Sequence, residues 1–153
     1  MPKTGVLGQD VLGQLGGEEA DMGTFGDYLE NEILDHIFGK GAYTPPTIYV
    51  ALSTADPGDD GSTMAEPSGG AYARVQTAGS DWNAAASGAT SNANAIEFPE
   101  STDSWGTVTH FALYDAATDG NFLGYGTLST ARAITAAGIV ARFSAGELDV
   151  TLD

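Results

Sequence analysis

The chain has 153 residues, no cysteine, and a formal net charge of −16 from 21 acidic and 5 basic side chains. Those numbers exclude a disulfide framework and thiol chemistry. They also argue against direct nucleic-acid binding, which needs clustered cations, because Lys3, Lys40, Arg74, Arg132 and Arg142 are scattered along the chain.

The length suits one domain with a real core plus a tail. High Gly, plentiful Ala and Thr, and few charges favour short strands and turns over a helical bundle. No apolar run approaches a membrane span. Met1-Pro2-Lys3-Thr4-Gly5 leads into no continuous apolar stretch, so no secretory signal is expected. The acidity keeps copies soluble and apart; read more sharply, it complements a basic partner surface.

Residues 1–23 read as an extended Gly-rich N-terminal arm, with glycine at 5, 8, 13, 16, 17 and 23. Each glycine disfavours a free-standing helix by about 1 kcal/mol relative to Ala. Such a segment is either a disordered tail or an arm lying on a partner or a neighbouring copy. In the second case Val6, Leu7, Val11, Leu12 and Leu15 are the anchors, and residues 1–22 are dispensable for folding.

Residues 24–153 read as one β-sandwich domain that opens with a helix over 24–38. Thr24 can cap that helix, and Asp27 completes an approximate capping box. Phe25, Leu29, Ile33 and Ile37 recur every four residues, and Tyr28, Leu34 and Phe38 broaden the stripe. Gly39 is a natural stop. Glu30, Glu32 and Asp35 read as the solvated face. His36 reads as a packed or partly exposed histidine rather than a metal ligand, since no second ligand of zinc-site character lies at four-residue spacing.

After Pro45-Pro46 a strand is expected over Thr47–Ser53. The polar loop from Ala55 to Gly70 carries Asp56, Asp59 and Asp60, but the spacing does not match an EF-hand loop, so no metal is expected there. Further strands are expected over Ala71–Thr77 and Ala95–Phe98. Between them the low-complexity run Ser80–Ala95 reads as a loop whose Trp82 pins it to the body or to a partner.

The most strongly β-patterned stretch is Trp105–Leu128. Val108, His110, Ala112 and Tyr114 alternate with Thr107, Thr109, Phe111 and Leu113, and neither face is strongly polar. That pattern predicts a central strand covered on both sides. Asp119-Gly120 supplies the hairpin turn. Gly124 and Gly126 on the return strand leave room for a bulky side chain, with Trp105 and Phe143 as the candidates. Strands over 131–135, 139–143 and 148–152 complete about eight, hence a mainly β, jelly-roll-like sandwich. The expected core is Leu29, Ile33, Ile48, Val50, Val108, Leu113, Ile139, Phe143 and Val150.

No nucleophile elbow, phosphate loop or dinucleotide fingerprint occurs. His110 reads as a core or interface histidine. Asp115 lies five residues along the same strand on the opposite face, too far for a catalytic pair. No catalytic residue and no cofactor is expected.

Several motifs nevertheless occur in a recognisable order: Tyr28-Leu-x-Asn-x-Ile-Leu-Asp-His-Ile-Phe38, Tyr43-Thr-Pro-Pro-x-Ile-Tyr-Val50, Gly69-Gly-Ala-Tyr-Ala-Arg74, Trp105-Gly-Thr-Val-Thr-His-Phe111, Tyr114-Asp-Ala-Ala-Thr118, and the C-terminal Phe143–Asp153. Across residues 25–153 the chain resembles a family of small tailed-bacteriophage virion proteins, often labelled tail-fibre-like. The resemblance implies a non-enzymatic structural protein of the virion. A capsid decoration, or cement, protein on the outside of the major capsid protein shell is the leading expectation, because a spaced aliphatic arm extends contact over neighbours. Its partners would be the major capsid protein and neighbouring copies of itself, as a homo-oligomer on the particle after synthesis in the host cytoplasm. Neither nucleic acid nor membrane is an expected partner. The alternative is a tail-fibre or tail-tip component that touches the host.

Overall fold

The computed structural model describes residue 15 and residues 20–152. Among the described residues the fold is mainly β, sandwich-like, with one α-helix. In order the elements are β1 (Ala20–Phe25), α1 (Asp27–Ile37), β2 (Tyr49–Ser53), β3 (Val75–Gln76), β4 (Ala89–Ser91), β5 (Ile96–Glu97), β6 (Gly106–Tyr114), β7 (Phe122–Ile134), β8 (Arg142–Phe143) and β9 (Leu148–Thr151). Seven strands form one sheet in the order β3-β2-β6-β7-β1-β9-β4, and β5 pairs with β8 in a second, small sheet.

The β6–β7 hairpin is the centre, as the patterning predicts. Asp119 and Gly120 both take positive φ, 52° and 76°, and Asp115 Oδ1 accepts the Asn121 amide at 2.7 Å to close the turn. Phe111, Ala112, Leu113 and Tyr114 are all buried, so both faces of β6 are covered. One face, with Val50, Leu52, Phe111, Leu113, Leu123 and Leu148, joins Ile96, Phe98, Trp105 and Phe143 in the main core. The Phe143 ring meets Phe111 edge-on at 5.8 Å, and Phe111 pairs across the strands with Gly126. The other face carries a smaller cluster of Ala51, Ala112, Tyr114 and Phe122, with Met64 packed on it. Trp105 does not cross the return-strand glycines. Its indole N–H donates to the Gly70 carbonyl at 2.8 Å, and its ring meets Tyr72 edge-on.

Four expectations are corrected. Val108 shares the main core with Phe111 and Leu113 instead of facing the other way. Pairing slips between Val108 (opposite Arg132) and His110 (opposite Thr127), so Thr109 faces a four-residue bulge that shifts the alternation. The same pairing fuses two expected strands into the 13-residue β7. The helix starts at Asp27, with Gly26 as an N-cap that lacks a side-chain bond. Thr24 cannot cap it because Thr24 and Phe25 are committed to pairing with Tyr125 and Gly124.

The arm expectation also changes. β1 runs through the expected boundary at residue 23 and lies inside the sheet, antiparallel to β7 and parallel to β9. Leu15 is fully buried in the main core of its own chain, with its amide donating to the Arg142 carbonyl at 2.8 Å. It is therefore not available as an anchor on a neighbour.

Candidate functional site

The helix is where the fold exposes apolar surface. α1 packs mainly on β7, and none of its residues is fully buried. Its apolar stripe begins on the body and runs off it. Leu29 packs against the main core. Farther along, Leu34 is 53% exposed and Ile37 66%, and Phe38, just past the last turn, is 71% exposed. Among the described residues these are three of the four large hydrophobic side chains that stand exposed; Leu152 is the fourth. The stripe expected in the core is thus core at its start and surface at its end.

The end of the helix is firmly built. Gly39 takes φ 71°, and the Lys40 and Gly41 amides both donate to the Asp35 carbonyl, which closes the terminus. His36 Nδ1 accepts the Tyr43 amide at 3.2 Å and ties down the departing chain. Charge on the helix has one sign: Asp27, Glu30, Glu32 and Asp35 are acidic, and no Lys or Arg lies between 27 and 37.

Beside the first turns of α1 lies a cleft of about 270 Å³, lined by Phe25, Leu29, Ile48, Trp82, Thr90, Leu113, Leu123 and Val150. Its size falls just below the range of small-molecule pockets. Trp82 forms one wall. Its indole N–H donates to Thr77 Oγ1 at 2.9 Å, and the ring packs against the core, so Trp82 pins its loop to the body.

On the opposite face a polar cluster surrounds Arg74. Its Nε and Nη2 donate to the two oxygens of Glu66, each at 2.9 Å, and Nη1 donates to the carbonyls of Ala116 and Asp119. The guanidinium sits 3.6 Å above the Tyr114 ring. Tyr72 donates its hydroxyl to Glu66 at 2.7 Å and accepts the Leu52 amide. Burial, and then the Glu66 carboxylate, push the Tyr72 hydroxyl well above the usual tyrosine range. These groups border a cleft of about 570 Å³, but the Arg74 donors are spent on holding the hairpin turn.

Elsewhere the polar side chains bond within the fold. The His110 Nδ1 lies 2.8 Å from the Thr109 hydroxyl, while the Asp115 carboxylate is taken up by the backbone and side chain of Asn121. In the acidic loop Asp56 accepts the Gly58 amide and Asp60 the Ser62 amide. The hydrogen bonds from Ser62 hold Asp60 below the ordinary carboxylate range. Among the described residues no group of three His, Asp or Glu is placed to hold a metal ion. No helix among them is long and apolar enough to cross a membrane.

Of the six residues expected to meet partners, Val6, Leu7, Val11 and Leu12 lie outside the described residues, Leu15 is in the core, and Trp82 lines the cleft. Periodicity alone does not mark Leu34, Ile37 and Phe38 as surface. The available signal was the breadth of the stripe, which carries more large side chains than one face of an 11-residue helix can bury.

A family model described as podophage GP4 fiber I protein gp80 matches residues 24–151. No curated protein matches the chain.

Proposed function

The chain belongs to the Gp80 family of podophage fiber proteins, and on that ground we propose that it is a non-enzymatic, globular part of a phage tail fibre, attached to its neighbours through the apolar end of α1. Membership makes it a structural protein of the virion. The finer placement rests on the match over almost the whole sandwich together with the exposed apolar end of α1. A fibre shaft needs repeats or heptads. This body has neither among its described residues, so it is a module joined to a fibre instead of the shaft itself.

A capsid decoration protein on the outside of the major capsid protein shell is the second reading. Its support was a clamp-like arm, and that support weakens once Leu15 and Ala20–Phe25 belong to the folded body.

Antibody labelling of intact particles, read by electron microscopy, tests the placement. Label confined to the tail, in few copies, is expected. Label spread over the whole shell would reverse the order of the two readings.

A further inference from the structure

We infer that the exposed end of α1 docks into an apolar groove edged by lysine and arginine side chains on a different virion protein; this deepens the proposed attachment and rests on it. Leu34, Ile37 and Phe38 form one exposed apolar turn, continuous through Ile33 and Leu29 with the cleft walled by Trp82. A partner side chain can enter that cleft while the partner surface lies along the helix. The cleft is the size of one large apolar side chain and not of a free ligand.

Charge decides which partner. At helical spacing Asp27, Glu30 and Asp35 flank the face that carries Leu34, Ile37 and Phe38, while Glu32 lies beside Tyr28; no Lys or Arg lies between 27 and 37, and Lys40 is the nearest cation beyond it. Two copies of this chain meeting through that face of α1 would bring three carboxylates against three. The remaining surface would add repulsion, since each chain carries −16. An anionic lipid surface is disfavoured for the same reason. A groove with a basic edge meets both requirements at once: it covers the apolar turn and neutralises its rim.

Two arms test this. In the first, benzoylphenylalanine replaces Phe38 and is photoactivated in intact particles. The expected crosslink joins a different virion protein, at a segment where apolar residues are flanked by Lys or Arg. A crosslink to a second copy of this chain, or none in particles that contain the protein, overturns the inference. Particles that lack the protein altogether overturn the virion reading instead, and the second arm still decides the docking chemistry.

In that arm the purified chain is titrated with a Leu-striped helical peptide edged by Lys, followed by Trp82 emission and by backbone NMR shifts. Binding at least roughly tenfold tighter than to the same peptide edged by Glu is expected, falling by about tenfold between low and physiological salt. Ile37→Asp should abolish the preference while leaving the melting curve unchanged. Equal affinity for the two peptides, or stronger binding to anionic phospholipid vesicles than to either, overturns the inference.

Discussion

Asn92 and Leu148 hold each other through two hydrogen bonds: the Asn92 amide donates to the Leu148 carbonyl at 3.2 Å, and the Leu148 amide donates to Asn92 Oδ1 at 2.9 Å. The Asn92 side chain is fully buried, and its Nδ2 donates onward to the carbonyls of Asn94 and Ser144. One side chain thereby joins the loop before β5 to the turn before β9. Asn92→Ala leaves the buried Leu148 amide without its acceptor, at about 1–3 kcal/mol, and also removes the two bonds to the Asn94 and Ser144 carbonyls. A loss of roughly 2–3 kcal/mol is expected from the urea midpoint at constant slope. Asn92→Asp should fare no better, because it turns two donors into acceptors facing carbonyls.

Arg74 offers a second test. Its side chain is 7% exposed, and that of its partner Glu66 24%. Removing Arg74 leaves the Glu66 carboxylate partly shielded and unpaired and frees the Ala116 and Asp119 carbonyls, so Arg74→Ala should cost about 2–3 kcal/mol. Arg74→Lys should recover less than half of that. An ammonium cannot grip both Glu66 oxygens while reaching the Ala116 and Asp119 carbonyls. Denaturant titrations of the two variants check this.

Tyr72 sets an alkaline limit. Its hydroxyl keeps its proton in the folded chain above the usual value of 10.0, chiefly through burial and then through Glu66. The unfolded chain releases that proton near pH 10, so it binds fewer protons than the folded chain above that pH, and stability falls as pH rises. One such proton contributes about 1.4 kcal/mol per pH unit. Tyr28, Tyr43, Tyr114 and Tyr125 are shifted the same way and steepen the loss. Below that range the Tyr72 contribution is fully present. Tyr72→Phe should make the slope of stability against pH shallower by about one proton between pH 10 and 11, as measured by urea unfolding.

Truncations at Phe143 and Ile33 should separate core from surface. Phe143 is fully buried against Phe111, and Phe143→Ala should cost about 3–5 kcal/mol. Ile33 is half-buried on a helix without fully buried residues, and Ile33→Ala should cost about 1 kcal/mol or less. Thermal melts of both proteins read the difference.

Deleting residues 1–22 removes Leu15 from the core and the first half of β1 from between β7 and β9. A deletion that an arm would tolerate should therefore leave a chain that is unfolded, or loses its cooperative transition. Circular dichroism on heating checks this.

Features encoded over a few neighbouring residues are legible in the amino-acid order. The mainly β class follows from two-residue alternation and turn chemistry. The β6–β7 hairpin follows from Asp119-Gly120, and the helix and its stop from a four-residue repeat ending at Gly39. The ordered motifs from Tyr28 onward carried the family. Tertiary structure alone decided what depends on distant partners. Asn92 sits in a run that reads as a featureless loop, because its partner Leu148 is 56 residues away. Arg74 reads as one scattered cation, because the Asp119 carbonyl it holds lies 45 residues on. β1 reads as part of an arm, because its Gly-rich surroundings are poor in strand formers and its pairing comes wholly from β7 and β9. The stripe on α1 shows the same limit. Periodicity places Leu29 and Ile37 on one face, but only the packing of α1 on β7 decides that the first is packed and the second exposed.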